Sequence, residues 1–199
     1  MVAEAEGRTR WGVFALVAAP CAVAVAVMAA AVLNGVLAAS VALAGVPLQL
    51  KVDSLDGNGL SLYATSIQPL VGNTLPVAAA GISEAKISGL CLGIGADVPI
   101  LGPIGIKATS NSDITASNLV LNAESLGGDL KAGNAVVGQD ASAFTVGPAA
   151  NRGAPGTLGL QAETVTLSNV TNKSYGLIAG TLSINGVSIN VVPGSTSPC

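Results

Sequence analysis

Two different patterns of apolar residues divide this chain. Residues 11–33 are almost purely Ala, Val, Leu, Phe and Met, and no charge appears between Trp11 and Leu50. About twenty such residues, rising 1.5 Å each, span a hydrocarbon core of roughly 30 Å. A helix packed on a soluble core would keep a polar face, and this run has none. It predicts a hydrophobic leader helix. Beyond residue 45 the period changes to two. Leu48, Leu50 and Val52 alternate with Gln49 and Lys51. Leu90, Leu92, Ile94, Ala96 and Val98 occupy alternate positions, as do Leu119, Leu121 and Ala123. Val165 and Leu167 lie between Thr164, Thr166 and Ser168, and Val187, Ile189 and Val191 close the series. Alternation sends one set of side chains inward and the other outward, as in a strand.

Turn signals separate these runs: Asp56-Gly57-Asn58-Gly59, Gly72-Asn73, Gly102-Pro103, Gly127-Gly128, Gly147-Pro148 and Pro193-Gly194. Asn185-Gly186, between two alternating runs, is the strongest hairpin signal. No segment after residue 45 has a convincing helical period; residues 74–80 hold a helical turn at most. The expected fold is all-β: a single antiparallel β domain of about 9–12 short strands. A sandwich, a jelly-roll and an open barrel all fit, with a β-solenoid as the lesser alternative. The solenoid rests on a weak echo, Ile87-Ser88-Gly89-Leu90 against Ala116-Ser117-Asn118-Leu119 and Leu167-Ser168-Asn169-Val170.

The leader sets the compartment. Arg8 and Arg10 precede the apolar run, so the N-terminus stays inside and the rest crosses the cytoplasmic membrane. Ala42-Leu43-Ala44 fits a small-residue cleavage site, and Ala38-Ala39-Ser40 is a second. The run is longer than an ordinary signal-peptide core, which suits an uncleaved anchor over residues 11–33. Residues 1–44 are therefore a cytoplasmic head plus a signal peptide or membrane anchor. Residues 45–199 form the extracytoplasmic domain. Its two cysteines, Cys91 and Cys199, are expected to pair as a disulfide in an oxidising compartment. Cys21 reads as a small thiol within the apolar run.

Composition removes most chemistry. There is no histidine, which excludes a Ser-His-Asp or Cys-His triad and a His-ligated metal. Charged residues are 10% and the net charge is −3 with eight Lys+Arg, a poor match to nucleic acid. No G-x-S-x-G elbow occurs. Ser83-Glu84-Ala85-Lys86 has the spacing of a Ser-Lys dyad, but its companion motifs are missing and the segment alternates like a strand. Asp53, Asp56 and Asn58 offer oxygens around a glycine-rich turn, a weak calcium signal better read as turn chemistry. Gly93-Ile94-Gly95 lacks the strand–turn–helix setting of a nucleotide loop. Asn169-Val170-Thr171 and Asn172-Lys173-Ser174 are glycosylation sequons. No catalytic residue, cofactor or metal is expected. Aromatics are only 3%, so small aliphatics fill the inward positions and leave a thin core or an apolar groove.

Several stretches resemble a secreted actinobacterial family of unknown function whose members often carry an automatic "cholesterol esterase" label. They are Arg8-Thr9-Arg10-Trp11 with the leader, Gly89-Leu90-Cys91, Ile114-Thr115-Ala116-Ser117-Asn118-Leu119, Gly138-Gln139-Asp140-Ala141-Ser142, and Leu160-Gln161-Ala162-Glu163-Thr164-Val165 with Ala179-Gly180-Thr181. The label implies sterol-ester hydrolysis, for which this chain lacks an activated nucleophile and base. The expectation is an exported, non-enzymatic cell-envelope protein, at the cell surface or released, with a structural or interaction role. The alternative is an extracytoplasmic lipid or apolar-ligand binder, and a lipid ester hydrolase comes third. The expected partners are the membrane through the N-terminal segment and a lipid or an integral membrane protein, with no nucleic acid.

Overall fold

Four of the alternating runs extend into strands far longer than their turn signals suggest. The computed structural model describes residues 46–199 except 70, 71, 101 and 197; the leader expected over residues 1–44 lies outside the described residues. The strands are β1 (Leu48–Ile67), β2 (Leu75–Ser88), β3 (Leu90–Val98), β4 (Gly102–Ser110), β5 (Ile114–Gly133), β6 (Val136–Asp140), β7 (Leu158–Ile178), β8 (Thr181–Ser183) and β9 (Ser188–Pro193). A 3₁₀ turn, Ala141–Ala143, follows β6. All pairings are antiparallel within one sheet, ordered β6-β7-β5-β2-β1-β3-β4-β9, with β8 on β5.

That order is not open, because β7 also pairs with β1 from Leu48↔Ser174 to Tyr63↔Gly159. Strands β1, β2, β5 and β7 thus close into a ring, which removes the free edges those long strands would otherwise present. Strands β3, β4 and β9 leave the ring as an open arm. The all-β, antiparallel expectation holds, and the sheet is a closed barrel with an arm rather than a sandwich. The core follows the alternation: Leu50, Val52, Leu55 and Leu60 of β1 pack with Ile82 and Ile87 of β2. Ile114 and Leu119 of β5 and Val165 and Val170 of β7 complete it.

Two turn signals mark something else. Asp56-Gly57-Asn58-Gly59 and Gly127-Gly128 lie inside β1 and β5. Gly59 and Gly128 have positive φ, so they bend long strands instead of ending them. Asn185-Gly186 does not close a hairpin: β8 pairs with β5, and β9 pairs with β4. The turn carries the chain from the ring to the arm, where the Asn185 carbonyl accepts from the buried Ser110 hydroxyl at 2.7 Å. Of residues 74–80, expected to hold a helical turn at most, all from Leu75 onward are strand.

The sequence echo has a local meaning. Gly89, Asn118 and Asn169 follow Ser88, Ser117 and Ser168, and all three have left-handed backbone, at φ 69°, 48° and 54°. Glycine and asparagine tolerate that conformation best. The echo is a recurring kink, within β5 and β7 and at the one-residue join between β2 and β3.

Cys91 of β3 bonds to Cys199, 108 residues away. The C-terminal tail thereby lies over β3 and β4. A Cβ on Gly95 would collide with the Thr196 backbone, and one on Gly93 would press Pro198. The Gly93-Ile94-Gly95 pair therefore serves close approach of two chain segments.

Candidate functional site

The barrel interior contains an elongated apolar lumen of about 110 Å³. Strand β1 contributes Leu50, Val52, Leu55, Leu60 and Leu62, spaced along most of its length. Ala80, Ile82 and Ile87 of β2 face them. Leu119, Leu121, Leu126 and Leu130 come from β5, and Leu167, Val170 and Leu177 from β7. Leu90 and Leu92 extend the lining toward the arm. No charged residue lines the lumen, and Asn172 of β7 is the one polar residue in its wall. Leu126 and Leu130 are nevertheless 42% and 48% exposed, so the lumen reaches the surface along β5.

Asn172 occupies an unusual position. Six polar side chains are buried among the described residues: Ser61, Ser110, Asn151, Gln161, Asn172 and Ser174. Four are satisfied. The Asn151 amide donates to the Ser61 carbonyl and hydroxyl at 3.0 and 2.8 Å. The Gln161 carbonyl accepts from the backbone of Thr145 and Val146 at 2.9 and 3.1 Å. Ser110 is bonded to Asn185. Asn172 Nδ2 and Oδ1 and Ser174 Oγ have no partner. Positions 172 and 174 share one face of β7. Asn172 stands between Leu50 of β1 and Leu126 of β5, and Ser174 between Leu48 and Ala123. Here β5 departs from regular pairing, with register shifts between Ala123 and Ser125 and between Gly127 and Asp129.

The outward residues of this stretch are solvated and paired. Lys173 contacts Glu124 at 3.0 Å, and the Tyr175 hydroxyl donates to Glu124 at 2.9 Å. Lys173, then Tyr175, hold the Glu124 carboxyl below its ordinary range, and Glu124 raises Lys173 and Tyr175.

A second feature is the arm. Leu48, Ile94, Ile106 and Val191 stand in one row across β1, β3, β4 and β9. Leu50, Leu92, Ala108 and Ile189 form the next. Ile106 is 51% exposed and Ile189 and Val191 are each 66% exposed, so the arm carries an uncovered apolar face that continues from the lumen lining at Leu50 and Leu92.

The residues singled out for chemistry are dispersed. Ser83 and Lys86 lie three apart on β2, hence on opposite faces of the strand. Lys86 instead pairs with Asp113 at 2.9 Å on the exposed surface. That contact, then Ser88, lowers the Asp113 carboxyl. Asp53 and Asp56 lie in strand, where Asp56 accepts from Thr166 at 2.9 Å. No group of three or more Asp, Glu, Cys or His residues that could hold a metal occurs among the described residues. Asn169 is exposed and its Nδ2 donates to Asp129 at 3.2 Å, whereas Asn172 is buried and no glycosylation acceptor. Phe144 is buried in the loop packed on the barrel's outside, its ring 6.3 Å from Tyr63, and neither ring lines the lumen. Sequence reasoning anticipated an apolar groove but read Asn172 only as part of a sequon; its structural signal is a polar residue in register with two inward leucines.

The sequence profile of a family of unknown function, DUF6230, matches residues 44–199. No curated protein and no solved structure matches the chain.

Proposed function

The chain belongs to this family of unknown function, and from the chain's own geometry we propose that it is an exported, non-enzymatic envelope protein that binds an apolar ligand inside its barrel. The carrying observation is the lumen: a closed ring of strands whose interior is aliphatic, reaches the surface beside Leu126, and has one polar residue in its wall. The Cys91–Cys199 disulfide supports residence outside the cytosol. The separation of Ser83 from Lys86 on β2, and the absence of histidine, speak against the hydrolase reading.

The lumen also bears on the kind of ligand. A dry cavity of about 150 Å³ takes a benzene ring. A lumen of about 110 Å³ drawn out along β1 is smaller than that, so it takes a short, flexible hydrocarbon segment and refuses a rigid sterol. The reading is tested by titrating the exported protein with a short n-alkane, followed by NMR. Saturable uptake near one equivalent, displaced by other short chains and not by cholesterol, supports it. Absence of saturable uptake overturns it.

The exposed face of the arm favours a second reading, structural association through β9. Ile189 and Val191 sit on an edge strand, where apolar side chains beside unpaired backbone groups promote pairing with another chain. Sedimentation of the exported protein tests it: association abolished by Ile189→Lys supports this reading, and a monomer at all concentrations removes it.

A further inference from the structure

A buried amide with nothing to bond is costly, and this one belongs to a residue in the wall of an apolar lumen. Leaving a buried polar group unpaired costs about 1–3 kcal/mol. Asn172 is 6% exposed and Ser174 fully buried, and neither side chain has a partner. The four other buried polar side chains of the described residues are all bonded, so the two orphans, close together on one strand face, are exceptional within this protein. The wall beside them is irregular as well. Strand β5 carries register shifts on both sides of the Leu126–Asn172 pair, the kind of bulge that re-aims side chains next to binding sites. Leu126, which lines the lumen and is 42% exposed, marks an opening on that same row.

We propose that Asn172, seconded by Ser174, is the head-group site of the lumen, and that the ligand is a single-chain amphiphile with an uncharged polar head. This rests on the ligand-binding reading above and adds the chemistry of the ligand. Turned toward the void, which its polar atoms do not touch in the unliganded wall, the amide offers a donor at Nδ2 and an acceptor at Oδ1, and the serine hydroxyl does both. A short-chain primary alcohol or primary amide matches that set. A carboxylate, ammonium or phosphate head seated at the buried amide does not, because Lys51 and Lys173 line the surface groove outside, no charged residue lines the lumen, and an unpaired buried ion is far costlier than an unpaired amide. The head sits in the Leu50–Asn172–Leu126 row near the opening, and the chain runs down the lumen toward Leu60 and Leu121.

The test uses near-isosteric probes with the exported protein: 1-hexanol against n-heptane, with hexanoate as the charged control. Affinity is read by saturation-transfer NMR and by the rise in melting temperature. The expected result is a preference of about tenfold for the alcohol, as one hydrogen bond in a dry site supplies, with hexanoate the weakest. In Asn172→Leu the preference falls to about one while heptane binding persists; in Ser174→Ala it falls in part. Removing an orphaned polar group does not threaten folding, and retained heptane binding shows that the lumen is intact. Equal binding of alcohol and heptane by the wild type overturns the head-group assignment alone. So does an alcohol preference unchanged in Asn172→Leu, the result expected if an internal water satisfies the amide. Failure of all three probes to bind overturns the lumen reading itself.

Discussion

Asn172 of β7 stands opposite Leu50 of β1 in the barrel register, and neither atom of its buried amide has a partner. A position flanked by leucines on both neighbouring strands would ordinarily be apolar. The free energy stored there is recoverable by mutation. Asn172→Leu should raise the stability of the unliganded protein by about 1–3 kcal/mol. Urea denaturation, comparing midpoints at constant slope, measures it. A destabilised variant would mean that the amide already has a partner in solution.

The Cys91–Cys199 bond closes a loop of 108 residues and fastens the tail over Gly93, Gly95 and Gly105. In the chain-entropy description, a loop near one hundred residues is worth up to about 4–5 kcal/mol, and native disulfides typically give about 2–4 kcal/mol. Cys199→Ser should lose an amount in that range and free the tail. Thermal melts with and without reductant check it: reductant should lower the wild-type midpoint and leave the variant unmoved.

How much of this was legible in the sequence follows from what period two encodes. Alternation identified the inward residues Leu50, Leu119 and Val165 and the all-β class, because inward and outward positions differ in polarity. It did not encode which strand pairs with which. The closure of β7 onto β1 depends on matching two strands far apart in the chain, from Leu48↔Ser174 to Tyr63↔Gly159. Glycine signals were read as turns, yet Gly59 and Gly128 bend strands from within, since a positive φ serves either purpose. The cysteine pairing was legible because only two cysteines lie beyond the leader. Asn172 was legible only as a sequon, because its isolation in an apolar wall is a property of the register.

The loop after β6 is held by two buried contacts from Asn151 to Ser61, and Gly81 packs directly against that amide. Asn151→Ala should cost about 1–3 kcal/mol and loosen residues 141–157 more than the barrel. Hydrogen exchange resolves the two. Equal acceleration in β1 and in the loop would contradict the local assignment.

Asp140 pins the same loop from the surface. Its carboxylate accepts from the Gly156 backbone at 2.7 Å and from the Ser142 backbone and hydroxyl at 2.9 and 2.8 Å. Those bonds, the Gly156 one foremost, lower its pKa. A depressed carboxyl contributes stability that is present above its unfolded value of about 3.9 and is lost as pH falls through the folded value. Amides of residues 141–157 should therefore open selectively below about pH 4. In Asp140→Ala the loop should be loose at neutral pH and lose that acid dependence; an unchanged profile would contradict the role.

Native mass spectrometry of the protein purified from its exported fraction, followed by solvent extraction, tests the central claim most directly. The account predicts a stoichiometric adduct whose extract is a single-chain, uncharged amphiphile, released by lumen-filling Ala80→Phe and retained by Ile189→Lys on the arm. A clean unliganded mass that persists after incubation with such amphiphiles would contradict it.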